Sequence, residues 1–221
     1  MLNSISLLST MLSEHKTHQI IETAYMAATT AIFWMALYYL PVGGPIFRLA
    51  LPLPLTLLQL RHGQSCVFEG VTVTCLLLIT LMGPVRGCLV LFPYSFLAIW
   101  LGWGWKNRLS WWLTWGIGLV ISSVGFLIRL NVLSLLLGEN LWLIITHSTA
   151  DFFEQIFNFL RFSHIPDLSE IQIMTISLIL FQNSLYVFSV HAIAYWIFPR
   201  LNVKISEPPE LVAVLIRLND I

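Results

Sequence analysis

The polar residues between Leu141 and Phe162 form one of two groups whose types and spacing could perform chemistry. His147 and Asp151 stand four residues apart, and Glu154 follows three residues later. On a helix this spacing brings side chains to one face, where two of them can share a proton or a metal ion. Because only Glu154 is near enough to serve as a third ligand, we interpret the group as the solvated face of an amphipathic helix and expect no metal site.

The second group is three arginines, Arg48, Arg86 and Arg129, which a six-span topology brings to the same side of a membrane. A guanidinium binds a carboxylate or phosphate through two parallel hydrogen bonds. Arg129 lies roughly 13 Å below the end of its apolar run and needs a carboxylate, a carbonyl or a bound anion there. We predict an outward-facing pocket for a small anionic solute, with Asn131 and Asn183 orienting the ligand. Contact between the arginines and lipid phosphates is the alternative.

Motifs of known enzymatic mechanism are absent from the sequence. It has no P-loop, no GxSxG, no HExxH and no dinucleotide-binding GxGxxG. Cys66, Cys75 and Cys88 show no CxxC spacing, so we interpret them as reduced core residues. We therefore expect no enzyme activity, no catalytic residues and no cofactor.

The composition indicates that most of the chain folds in a lipid bilayer. Of its 221 residues, 57% are hydrophobic and 10% are charged, whereas soluble domains carry about 25% charged residues. The mean hydropathy is +0.82. Eleven basic residues balance eleven acidic ones, so nucleic-acid binding is not expected.

Six apolar runs predict an all-α integral membrane protein with one transmembrane domain over residues 23–198. It would lie between a cytoplasmic N-terminal segment, 1–22, and a cytoplasmic tail, 199–221. Prolines 52 and 54 should kink or break the second run. The runs are 23–40, 46–60, 66–82, 87–105, 111–137 and 171–198.

The stretch 141–162 is long enough to span a membrane, but its polar stripe favours a helix that lies in the interface. Six spans place seven of the eleven basic residues on one side, whereas a seventh span would move Arg200 and Lys204 to the other. The excess of basic residues favours six spans with both termini in the cytoplasm. Six of the nine tryptophans flank the loop at Lys106, as expected of an interfacial aromatic belt.

Four alanines in the first run, Ala24, Ala27, Ala28 and Ala31, recur at a spacing of four residues. Small side chains at this spacing let two helix backbones approach closely in a membrane. We predict that this face docks a partner helix, which belongs to this chain or to another subunit.

Three segments resemble the YybS-like family of predicted membrane proteins, particularly its members in oxygenic phototrophs. They are PVGGPIFRLALPLPL at residues 41–55, LRHG at 60–63 and GPVRG at 83–87. The family is grouped with the cell-shape protein MreD and with the substrate-binding S components of energy-coupling factor (ECF) transporters. S components have six spans and an alanine face on span one that docks the shared transmembrane subunit, a pattern that Ala24, Ala27, Ala28 and Ala31 match.

This resemblance implies a solute-binding subunit of a transporter with an S-component-like bundle. Its partners would be a transmembrane coupling protein with its ATPases, in a bacterial inner membrane or a thylakoid. The alternative function is a membrane scaffold or assembly factor that binds other membrane proteins.

Reporter fusions test the topology. We predict that fusions at residues 2, 63, 107 and 205 all report the cytoplasmic side, because the basic residues concentrate there. A fusion after Arg200 that reports the opposite side would contradict six spans and support a seventh.

Overall fold

The computed structural model describes residues 2–41, 43–159, 161, 167–203, 205 and 209, with side chains from residue 16 onward. Within these residues the chain is helical and has no strand, which confirms the all-α prediction. Most of the predicted tail lies outside the described residues. The helices are α1 (Leu2–Tyr39), α2 (Gly44–Ala50), α3 (Leu53–His62), α4 (Gln64–Met82), α5 (Pro84–Cys88), α6 (Phe96–Lys106), α7 (Trp111–Leu137), α8 (Leu141–Phe159) and α9 (Leu168–Ile197).

Five segments of the described chain are long and apolar enough to cross a membrane, which makes this a multi-pass membrane protein. They are Lys16–Tyr39, Gln64–Met82, Pro84–Lys106, Trp111–Leu137 and Leu168–Leu201. The second predicted run, 46–60, is not among them, because it is divided into the short helices α2 and α3.

The break between α2 and α3 follows from Pro52. Proline has no backbone N–H, so the carbonyl of Arg48 loses its helical donor. The hydroxyl of Tyr186 in α9 donates to that carbonyl over 3.3 Å. Tyr186 thus supplies the donor that the helix no longer provides, and the hydrogen bond ties α2 to α9.

The contacts between α1 and α4 show that these helices run in the same direction. Thr23 lies beside Gly70, and one turn further along both helices the Thr74 hydroxyl donates to the carbonyl of Ala27 over 3.4 Å. The chain therefore returns from one end of the bundle to the other between them, through α2 and α3. We call these ends the Arg86 end, where α1 and α4 finish, and the Arg61 end, where α3 finishes.

Helices α7 and α9 run in opposite directions. His191 lies 3.3 Å from the Thr114 hydroxyl, whereas Gly118, one turn later in α7, packs against Val187, one turn earlier in α9. Between them in sequence, α8 packs on both helices. Its Thr146 and Thr149 are buried, and His147, Asp151 and Glu154 are exposed.

Two of the four alanines of α1 point into the protein. Ala27 and Ala31 are 0% and 1% exposed, and Ala27 contacts α4. A second subunit cannot reach these two residues in this conformation. If another subunit docks on this helix, the alanines that it can contact are Ala24, which is exposed, and Ala28, which is half-buried.

Leucine substitution tests the burial of this face. Ala27→Leu forces a branched side chain into the contact with α4, so we expect the free energy of unfolding in detergent micelles to fall by about 1–3 kcal/mol. The matched control Ala24→Leu, on the exposed side of the same helix, should leave it unchanged. Equal effects of the two substitutions would show that α1 is rotated relative to this structure.

Candidate arginine–aromatic site

A group of aromatic rings fills the core near the Arg86 end and forms the base of the candidate site. Trp34 and Tyr94 are at most 1% exposed, and Tyr186 is 7% exposed. The Trp34 and Tyr94 ring centroids are 5.6 Å apart, and those of Tyr94 and Tyr186 are 6.2 Å apart, both edge to face. Tyr38 packs on Trp34 at 5.2 Å. We call Trp34, Tyr38, Tyr94 and Tyr186 the aromatic cluster.

Arg129 of α7 reaches the aromatic cluster from one side. Its guanidinium donates to the Tyr94 hydroxyl over 3.3 Å and to the Tyr38 hydroxyl over 3.1 Å. Its Cζ atom lies 5.5 Å from the centroid of Trp34. Gly125, one turn earlier, permits this approach, because a Cβ atom there would lie 2.7 Å from the Cα atom of Pro93.

Arg86 reaches the same cluster from α5, which begins directly after the turn that ends α4. Gly83 makes this turn at φ +88°, a conformation that side-chain-bearing residues rarely adopt. Gly87 lies so close to α4 that a Cβ atom would stand 2.5 Å from the Ile79 nitrogen. The Trp34 indole donates to the Arg86 carbonyl over 3.1 Å. These contacts place the Arg86 guanidinium 5.7 Å from the Tyr38 centroid.

Arg86 and Arg129 therefore both contact Tyr38. Within the described chain neither arginine has an ion-pair partner. The described ion pairs are at the other end of the bundle, where Glu22 contacts Arg61 and lies 2.7 Å from His62. The ring faces of the aromatic cluster attract both guanidinium groups without neutralising them. The site consequently carries net positive charge.

Arg48 contacts a different part of the cluster. Its Cζ atom lies 5.4 Å from the Tyr186 centroid, and its Nε atom is buried without a hydrogen-bond partner. It lines an open groove between α2 and α9. Neither Arg86 nor Arg129 is among the residues that line this groove. The structure thus brings all three predicted arginines to one aromatic cluster, but in two separate places.

The two predicted asparagines do not join the arginines. Asn131 is exposed, and its amide donates to the carbonyl of Leu127 in its own helix. Asn183 is buried in α9 and donates to the carbonyl of Ile179 over 2.9 Å. Neither makes a described hydrogen bond to an arginine, and their predicted ligand-orienting role has no support in these contacts.

The polar stripe of α8 does not assemble a metal site with other residues of the described chain. No three His, Cys, Asp or Glu side chains of that part of the protein lie close enough to hold a metal ion. The three cysteines are free thiols, but the core interpretation holds for Cys66 alone, since Cys75 is half-buried and Cys88 is exposed.

The sequence pattern does not single out the tyrosines whose hydroxyls contact Arg129. Tyr38 and Tyr94 stand in or beside apolar runs, where an interfacial or core role explains them equally well. The available signal was their polarity, since a phenol hydroxyl in a membrane core needs a partner. The hydroxyl thus indicates that a hydrogen-bond partner exists, but the sequence does not identify that partner as Arg129.

Comparison with known proteins adds a family but no activity. A family model described as a predicted membrane protein (DUF2232) matches residues 27–213. No curated protein and no solved structure matches the chain.

Proposed function

We propose that this chain, which belongs to the DUF2232 family of predicted membrane proteins, is a membrane subunit that binds a small anionic solute at Arg86 and Arg129. The observation that carries the proposal is the shared contact of these two arginines with Tyr38. The solute would carry a carboxylate or a phosphate, since both groups match the guanidinium fork.

The surroundings of the two arginines support an anion rather than a structural ion pair. Arg129 donates to the hydroxyls of Tyr38 and Tyr94, which leaves the hydroxyl hydrogens free to donate to an oxygen atom of the ligand. Arg86 is exposed and Arg129 is half-buried. A bound anion would supply the negative charge that the described protein does not place there.

Helix directions support six crossings with both termini at one end of the bundle, and the basic residues favour the cytoplasm for that end. Parallel α1 and α4 require one crossing between them, which α2 and α3 together supply. Antiparallel α7 and α9 leave no room for a full crossing by α8, because that crossing would make α9 parallel to α7. The Arg86 end would then face outward, and both termini would lie in the cytoplasm of a bacterium or its thylakoid equivalent.

A transporter subunit of this kind requires partners, for which the exposed side of α1 is our candidate surface. Ala24 offers a small, exposed side chain there, as close packing between membrane helices prefers. The partner would be a transmembrane coupling protein that associates with ATPases. The alternative function is a membrane scaffold that binds other membrane proteins and needs no solute.

Ligand-induced stabilisation tests the proposed function. The purified protein would be titrated in detergent with inorganic phosphate, succinate and citrate while its unfolding is measured. A ligand present at 100 times its dissociation constant stabilises the folded state by about 2.7 kcal/mol. We expect one of these anions to raise the melting temperature of the wild type and to lose that effect in Arg129→Gln.

The matched control is Arg200→Gln. Arg200 also lies over an aromatic ring, with its Cζ atom 4.0 Å from the Trp196 centroid, but it follows α9 at the Arg61 end. This variant should keep the full response to the anion. A response that survives in Arg129→Gln would place the anion elsewhere, and a wild type that responds to none of the anions would favour the scaffold.

A further inference from the structure

We propose that the groove between α2 and α9 binds the phosphate headgroup of an anionic phospholipid through Arg48. This site is independent of the solute site, because neither Arg86 nor Arg129 lines the groove. The groove has a volume of about 460 Å³. Its described walls include Leu37 from α1, Gly44 and Leu49 from α2, and Leu185 from α9.

The charge of the groove calls for an anion. Arg48 is the one cation among its described lining residues, and no acidic side chain is among them. The Nε atom of Arg48 is buried without an acceptor. The hydroxyls of Tyr186 and Ser189, which also line the groove, already donate to backbone carbonyls, and the Tyr186 ring face does not remove the charge of Arg48.

The position of Arg48 matches the level of lipid headgroups. It lies four residues after the start of α2, which is about 6 Å along the helix from the Arg86 end. Lipid phosphates border the hydrocarbon core at this level, and a guanidinium at the end of a span reaches them easily. Gln182, one turn before Tyr186 in α9, is exposed at the same groove and supplies an amide to the headgroup.

The walls favour a lipid over a dissolved anion. Leu185 is 51% exposed and the neighbouring Phe181 is 62% exposed, so this side of α9 meets the bilayer and the groove opens sideways. Leu37, Leu49 and Leu185 supply apolar surface for an acyl chain. A dissolved anion gains nothing from these walls, whereas a phospholipid fills both the charged and the apolar part.

Native mass spectrometry of the full-length protein, taken from nanodiscs of equimolar phosphatidylglycerol and phosphatidylcholine, tests the proposal. Both lipids carry a phosphate, but the choline cation of phosphatidylcholine offsets its charge. We therefore expect the unpaired charge of Arg48 to favour phosphatidylglycerol by about tenfold. We expect the wild type to retain phosphatidylglycerol over phosphatidylcholine by about that factor, and Arg48→Gln to retain the two lipids equally. The matched control Arg200→Gln removes an arginine that also lies over an aromatic ring, but at the Arg61 end, and should keep the preference.

A second variant tests the groove without removing Arg48, so that the result does not depend on correct folding of Arg48→Gln. Leu185→Trp fills the groove from an exposed position and leaves the charge in place, so it should also reduce the retained phosphatidylglycerol. Displacement of the lipid by excess inorganic phosphate would instead identify a dissolved anion as the ligand. Equal retention of the two lipids by the wild type, or a full preference in Arg48→Gln, would overturn the proposal.

Discussion

The structure depends on one constraint, that carbonyl groups which lose their helical donor against the core must find new partners within the protein. Pro52 releases the carbonyl of Arg48, and Tyr186 donates to it. The short helix α5 leaves the carbonyl of Arg86 near its end, and the Trp34 indole donates to it. In both places an aromatic side chain takes over from a missing backbone donor, and in both the donor is buried in the core at the Arg86 end.

The same rings explain how three arginines are tolerated where described acidic partners are missing. A guanidinium over a ring face gains about 0.5–2 kcal/mol, depending on its exposure, which offsets part of the cost of moving it away from water. The Glu22 pair with Arg61 and His62 shows the other solution, in which a carboxylate neutralises the cation. Unlike Arg61, the ring-supported arginines have no described carboxylate partner and keep their charge available for a ligand.

The sequence predicts those features that depend on the lengths of the apolar runs, the positions of the prolines and the order of the spans. It correctly places the break in the second run and brings Arg48, Arg86 and Arg129 to one end of the bundle. It does not predict which side of a helix faces inward when the whole helix is apolar, as in α1 and α7, because hydrophobic periodicity then has no direction. For this reason the sequence does not predict that Asn131 is exposed or that Ala27 is buried. In α8 the polar residues His147, Asp151 and Glu154 are exposed, but Ile144 and Phe152 are also exposed, so exposure there does not follow polarity alone.

Anomalous scattering from crystals soaked in sodium bromide would test most directly whether the paired arginines form an anion site. Bromide is a monovalent anion whose position is visible independently of the protein atoms. We expect an anomalous peak beside Tyr38, between the guanidinium groups of Arg86 and Arg129, that disappears in Arg129→Gln. Bromide bound only at the exposed basic residues of the Arg61 end would contradict it.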